Sequence, residues 1–336
     1  MIVSLSQKGR AVEVPRRNFL LLAAGAALPS LPRIAIAQDV YPSRPIHVIV
    51  GFTPGSAADI IARVFGTGAA PFLGQQIVVE NRPGAGSAVG AEYAAHAPKD
   101  GYTLFIASIS LVTSQVINPD PGIDLVRDFA PIALLTSSAI VLVVNPETKL
   151  HSVTELIALA KSKPGQVLCA HVGVGSLPHF AAELFALRAG IKLLHVPYPG
   201  SPEATTDLVA GRVMMFFAPA SAVIGQITAG KLNALATVAD RRTSALPDVP
   251  SMTEAGMPDF DTSPWWGLTA PAGTPQAVIE KIAGAAQKAM RAPEAIETLK
   301  KQGFESLGEG PDAFGRLMRS EIARWSEVAR AAGMKS

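Results

Sequence analysis

The chain has 336 residues, 49% of them hydrophobic and 17% charged, with a mean hydropathy of +0.30; this excludes a disordered chain, which would be polar and highly charged, and suits one or two globular domains. Lys plus Arg number 29 and Asp plus Glu 27, a net charge of +2, and no basic stripe is present to neutralise phosphates, which argues against nucleic-acid binding. The one cysteine, Cys169, excludes an internal disulfide, a cysteine zinc cage, an iron–sulfur site and an N-terminal lipid anchor on cysteine.

Residues 1–37 read as an export signal outside the fold. Arg16 and Arg17 precede an apolar run from Phe19 to Leu28, Pro29 and Pro32 follow, and Ala35-Ile36-Ala37 gives a small-x-small cleavage pattern with Gln38 as the expected mature start. The run is shorter than the about 20 residues that span a bilayer. Arg16-Arg17-Asn18-Phe19-Leu20 matches a twin-arginine motif; an ordinary secretory signal with paired arginines is the alternative, and both export the chain. The leader holds five bases (Lys8, Arg10, Arg16, Arg17, Arg33) and one acid (Glu13), so removing it leaves 24 bases against 26 acids. No later stretch is apolar enough to span a membrane, and a soluble periplasmic protein without a lipid anchor is expected.

The body alternates strands and helices. Strands are predicted at His47–Phe52, Ile77–Val79, Thr103–Ala107, Ile140–Val144, Val167–His171, Leu193–Val196, Val213–Phe217, Ala234–Val238 and Trp266–Ala270. Helices are predicted at Ala58–Phe72, Ala88–Ala95, Val153–Lys163, Phe180–Ala189, Glu203–Ala210 and a short segment ending at Ala229. After the turn-rich stretch 245–261, three helices close the chain; in the last, Phe314, Leu317, Ile322, Trp325 and Val328 share one face at helical spacing. Continuous Val/Ile/Leu strands between helices predict parallel sheets covered on both faces. The fold class is α/β with two lobes: residues 38–140 plus 262–336 form lobe 1 and 141–261 lobe 2, joined by crossings near Ile140–Val144 and Trp266–Ala270.

Two strand–loop–helix junctions carry the chemistry. The first is Phe52-Thr53-Pro54-Gly55-Ser56-Ala57-Ala58-Asp59, the second His171-Val172-Gly173-Val174-Gly175-Ser176-Leu177-Pro178-His179. Each sets glycines and a serine before an apolar helix. The first N–H groups of a helix lack intrahelical partners and lie at the positive end of its dipole, and glycine lets a ligand approach the backbone, so such a terminus binds an anion without arginine. Ser56 and Ser176 fit plain helix capping equally well. The two loops occupy the carboxyl ends of strands in separate lobes, where open α/β sheets bind ligands. Asp59 favours its helix dipole, and it repels an anion unless it faces away or binds an amine.

Other motifs carry less. Asn81-Arg82-Pro83-Gly84-Ala85-Gly86-Ser87-Ala88-Val89-Gly90 has the wrong spacing for a dinucleotide fingerprint and reads as a turn with a helix start. The histidines His47, His96, His151, His171, His179 and His195 show no metal-binding spacing, so no metal or other cofactor is expected. His179 either donates to a ligand in the second loop or caps its helix. No G-x-S-x-G elbow occurs. Trp265-Trp266 after Pro264 either lines a cleft or packs in the core.

These junctions, together with Tyr41-Pro42-Ser43-Arg44-Pro45-Ile46, Glu80-Asn81-Arg82-Pro83-Gly84-Ala85-Gly86, Asp100-Gly101-Tyr102-Thr103-Leu104, Arg127-Asp128-Phe129-Ala130-Pro131, His195-Val196-Pro197-Tyr198, Leu246-Pro247-Asp248-Val249-Pro250 and Ala270-Pro271-Ala272-Gly273-Thr274-Pro275, resemble the substrate-binding proteins of tripartite tricarboxylate transporters, the Bug family of solute receptors. The likeness runs from about Tyr41 to Lys335. It implies a type II periplasmic-binding-protein-like fold with a cleft between two lobes, capture of a small carboxylate, no catalysis, delivery to the membrane permease subunits of such a transporter, and a monomer. By position it assigns ligand binding to Phe52 and Thr53–Asp59 in lobe 1, to Gly173, Gly175, Ser176, Leu177 and His179 in lobe 2, and to Ser108 and Ser110 in a third loop.

The sequence departs from the family pattern at Gly55-Ser56-Ala57-Ala58, at Leu177-Pro178, at Pro199 and at Ala218, where family members more often carry glycines with a threonine, serines, a base and an acid. A less polar pocket follows, and with it a carboxylate with an apolar or aromatic body; Ala218 and Trp265 are expected to line it. The rival readings are an exported enzyme acting on a small carboxylate and a ligand-sensing partner of a membrane kinase.

Overall fold

Strands of Val, Ile, Leu and Phe assemble into two sheets, each flanked by helices. This computed structural model describes residues 41–118, 122–239, 242–243, 246–260 and 262–334; the expected export signal, its twin-arginine motif and its cleavage site lie outside the described residues. The first sheet contains β1 (Ile46–Val50), β2 (Ile77–Asn81), β3 (Thr103–Ser108), β4 (Phe129–Ser138), β10 (Trp265–Pro271) and β11 (Phe304–Glu309), in the order β11-β4-β10-β3-β1-β2. The second contains β5 (Ile140–Val144), β6 (Val167–His171), β7 (Leu193–Pro197), β8 (Met215–Pro219) and β9 (Asn233–Thr237), in the order β7-β6-β8-β5-β9.

Both sheets are mixed, which corrects the expectation of parallel sheets. β10 runs antiparallel to β3 and β4, and β5 runs antiparallel to β8 and β9. The cause is the path of the chain. β4 ends at Ser138 and β5 begins at Ile140, with only Ala139 between them. A strand that enters from the other sheet starts at the edge where its neighbours end, and must run against them. β10 returns in the same way after β9.

The helices are α1 (Ala57–Leu73), α2 (Ala88–Ala95), α3 (Ile109–Ile117), α4 (Leu125–Asp128), α5 (Val153–Ser162), α6 (Leu177–Ala189), α7 (Ser201–Val209), α8 (Ala220–Thr228), α9 (Gln276–Met290), α10 (Pro293–Lys301) and α11 (Pro311–Ala332). The three closing helices are present, with β11 inserted between the last two. One face of the first sheet packs α1 and α9 through Ile61, Phe65, Ile282 and Ala286. The other face belongs to a core that continues into the second sheet, joining Ile49 and Phe105 to Leu142 and Phe217. Helix α11 ties the two together. Its Phe314 meets Trp265 of β10, with centroids 5.4 Å apart, and its Trp325 meets Phe180 of α6 at 5.2 Å. Among the described residues no helix is long and apolar enough to cross a membrane.

Candidate functional site

The two predicted junctions fold as near copies. In the first, Ser56 N–H donates to Thr53 O at 3.2 Å, closing a turn whose third residue, Gly55, has φ +81°. In the second, Ser176 N–H donates to Gly173 O at 3.2 Å, and Gly175 has φ +79°. Both fit a type II turn, whose third position demands a left-handed backbone. Each serine then caps its helix: Ser56 Oγ accepts from Asp59 N–H and Ser176 Oγ from His179 N–H, both at 3.4 Å. The third helical residue reaches back in turn. Gly55 N–H donates to Asp59 Oδ2 at 3.0 Å, and Gly175 N–H donates to His179 Nδ1 at 3.3 Å. The capping reading is therefore realised at both junctions.

This settles where Asp59 faces. Its side chain is buried and turned away from the loop mouth, accepting from Arg63 Nε and Nη2 and from Asn81 Nδ2, each at 3.0 Å. Burial pushes its carboxyl up, but Arg63, Gly55 N–H and Asn81 outweigh this and hold it below the ordinary carboxylate range. Thr53, Pro54 and Gly55 are exposed, and Phe52, Ser56 and Ala57 half-buried. The N–H groups of Ala57 and Ala58, in the first turn of α1, have no acceptor among the described residues. In α6 the equivalent pair is Leu177, which has an N–H, and Pro178, which has none. Lobe 2 thus offers one donor fewer at its helix start.

Strands β1 and β3 are parallel neighbours, so α1 and α3 start side by side at one edge of the first sheet. Ser108 occupies the N-cap of α3, but its buried Oγ has no partner among the described residues and caps nothing; Ser110 is exposed in the first turn. The far end of α3 touches the second junction. A Cβ placed on Gly175 would lie 2.3 Å from Ile117 Cδ1, so this glycine is required both for its φ and for the approach of the second loop to lobe 1. Val174, at the tip of that loop, is 61% exposed. Ile117 did not stand out in the sequence, because an apolar residue at a helix end has no spacing signal.

Below the second junction lies a histidine cluster, which corrects the reading that the histidines form no metal pattern. His171, His179 and His195 each place a ring nitrogen within 4.8 Å of the others. The reason is spatial. The register of β6 and β7 sets Cys169 opposite His195, His171 shares a strand face with Cys169 by the period of two, and the first turn of α6 carries His179 over that face. His171 and His179 stack at 4.3 Å. Glu183, one turn after His179, lies with Oε1 3.0 Å from His195 Nε2 and 3.7 Å from His179 Nε2. Burial pushes the Glu183 carboxyl up, but His179 and His195 outweigh it and hold it at about 2. Burial pulls His171 down to about 4. The i, i+4 pair His179/Glu183 was readable in the sequence; its meeting with His195 was not.

The remaining predicted residues lie elsewhere. Ala218 is fully buried in the apolar cluster around Val141 and Phe216. Trp265 is 2% exposed and borders a cavity of about 960 Å³ beside the crossing strands, together with Ser138, Ser221, Phe304 and Arg324; no residue of the two junctions lines that cavity. The Gly-rich segment 81–90 serves packing: a Cβ on Gly90 would lie 2.9 Å from Gly51 Cα, so its glycine lets α2 approach the end of β1.

A family model described as tripartite tricarboxylate transporter family receptor matches residues 61–334. The chain belongs to this receptor family. A UPF0065 protein from a tcbD-tcbE intergenic region of Pseudomonas sp. is 39% identical to this receptor over 318 residues, 94% of each chain. Protein BugT of Bordetella pertussis is 36% identical over 320 residues, 95% of this receptor and 96% of BugT. A solved R. palustris structure with adipate superposes with a TM-score of 0.72 at 30% identity, covering 88% of this receptor and 99% of that chain. MatC of Rhodopseudomonas palustris with bound malate gives 0.69 at 29%, covering 86% and 99%. The family is one of periplasmic solute-binding receptors, and both of these bound ligands are small carboxylates.

Proposed function

We propose that this receptor captures a small carboxylate with an apolar or aromatic body between its two sheets and delivers it to the membrane permease subunits of a tripartite transporter. The observation that carries this reading is the pair of twin junctions, each a type II turn, a serine cap and an open helix start. In lobe 1, Ala57 and Ala58 N–H are joined by the first turn of α3; in lobe 2, Leu177 N–H remains. Micromolar affinity needs about −8 kcal/mol. These N–H donors, at about 1.5–3 kcal/mol each to a charged group, supply that after ordering costs. At the tip of the lobe 2 turn stands the exposed Val174, where a polar ligand end would want a hydroxyl, which favours an apolar body over a second polar head.

Titration calorimetry with adipate, malate, citrate, aspartate and benzoate tests the reading. Adipate or benzoate is expected to bind most tightly. Preference for citrate or aspartate overturns the apolar body, and no heat from any carboxylate overturns the class. Delivery is tested by uptake of the labelled ligand into cells with and without the receptor gene; uptake is expected to fall when the gene is absent.

A further inference from the structure

We infer that His171, His179, His195 and Glu183 form a binding site for one divalent transition-metal ion of the zinc, nickel or copper class, beneath the second junction. Imidazole nitrogen is the donor these ions favour. Three imidazoles converge with ring nitrogens within 4.8 Å, and the carboxylate of Glu183 stands 3.0 Å and 3.7 Å from two of them.

The hydrogen bonds say which lone pair is ready. Glu183 can only accept, so His195 carries its proton on Nε2 and leaves a bare lone pair on Nδ1. That Nδ1 is buried and has no partner among the described residues. A histidine oriented by a carboxylate through one nitrogen, with the other free, is the arrangement that holds ligating histidines in metal sites. An unpaired buried acceptor otherwise carries a desolvation cost with no return.

The site is coupled to the loop above it. Gly173 N–H donates to His171 Nδ1 at 3.2 Å and Gly175 N–H to His179 Nδ1 at 3.3 Å. Both rings therefore hold their proton on Nε2 when neutral. A metal bound at Nε2 of either ring moves that proton to Nδ1, which then no longer accepts. The glycine N–H then loses its acceptor. Metal binding thus releases backbone donors of the second junction, and its effect is read at Gly173 and Gly175.

The test is a titration of the untagged protein with Zn²⁺ in the absence of any carboxylate. One Zn²⁺ per chain is expected. Imidazole-selective ¹H–¹⁵N spectra of the wild type are expected to move the ring signals of His171, His179 and His195 and to leave His47, His96 and His151 in place, while the amide signals of Gly173 and Gly175 shift. Glu183→Gln is expected to weaken Zn²⁺ about 10–100-fold, and His171→Ala at least as much. The inference is overturned if no stoichiometric Zn²⁺ binds, if the signals that move belong to His47, His96 or His151, or if a folded His171→Ala protein binds as the wild type does. The wild-type spectra decide the matter even where a variant fails to fold. Carboxylate calorimetry on metal-free protein reports on the proposed function alone.

Discussion

Asp59 and His179 hold the same position in their two junctions, third in the helix and bonded back to the N–H before the cap, yet they are different chemically. Asp59 is an anion braced by Arg63 and Asn81, so lobe 1 fixes its turn through a charge. Its carboxyl sits below its ordinary range when folded. Such a group stabilises the fold fully above its unfolded pKa and loses that contribution as pH falls through the folded value. Asp59→Asn is therefore expected to lower stability by about 1–2 kcal/mol at pH 7, a figure discounted because Arg63 is largely exposed. The difference between variant and wild type should shrink as pH drops below about 4, read from urea midpoints at a series of pH values. A difference that stays constant from pH 7 to pH 3 would show that shape, not charge, is what Asp59 supplies.

At the scale of the element, the proposed function makes the start of α6 the poorer anion site, because Pro178 occupies its first turn. Pro178→Ala restores an N–H there at little cost, since proline in a first turn is tolerated rather than required. Affinity for the best-bound carboxylate is expected to rise about tenfold or more by calorimetry, the effect of one added hydrogen bond to a charged group. An unchanged affinity would mean that the ligand does not reach this turn. Elements like α6 were legible in the sequence because Gly175-Ser176 announces the cap and an apolar run follows. The strands β4 and β11 were not. In β4, Pro131 and the trailing Thr136-Ser137-Ser138 interrupt the apolar run, and a register irregularity lies where Pro131 meets Thr269; β11 alternates weakly and contains Gly308. α3 was hidden by its β-branched residues, Ile109, Val112, Thr113, Val116 and Ile117, which read as extended chain. The loops of the candidate site were visible as motifs, whereas the histidine cluster needed the pairing of β6 with β7, a long-range fact that no local spacing encodes.

For the whole molecule, the question is what brings the second junction against lobe 1. The chain passes between the sheets through Ala139 and returns by β10, and α11 packs on both, so the lobes share one core on one side. Against the same core, Gly175 of the second loop faces Ile117 of α3. A methyl group on Gly175 meets Ile117 at 2.3 Å and also sits at a left-handed φ, which costs about 1–2 kcal/mol in its own right. Gly175→Ala is expected to hold the lobes apart, raising the radius of gyration in solution scattering and weakening carboxylate binding about tenfold or more, because a clamp that closes poorly forfeits the donors of one side. Ile117→Ala alone removes the obstacle without touching the turn and should leave the radius unchanged. In the double variant the steric part disappears and the φ strain stays. The coupling between the two substitutions then measures the steric term directly: recovery of the wild-type radius with a residual loss of stability is the expected result, whereas purely additive effects would mean that this contact does not govern closure.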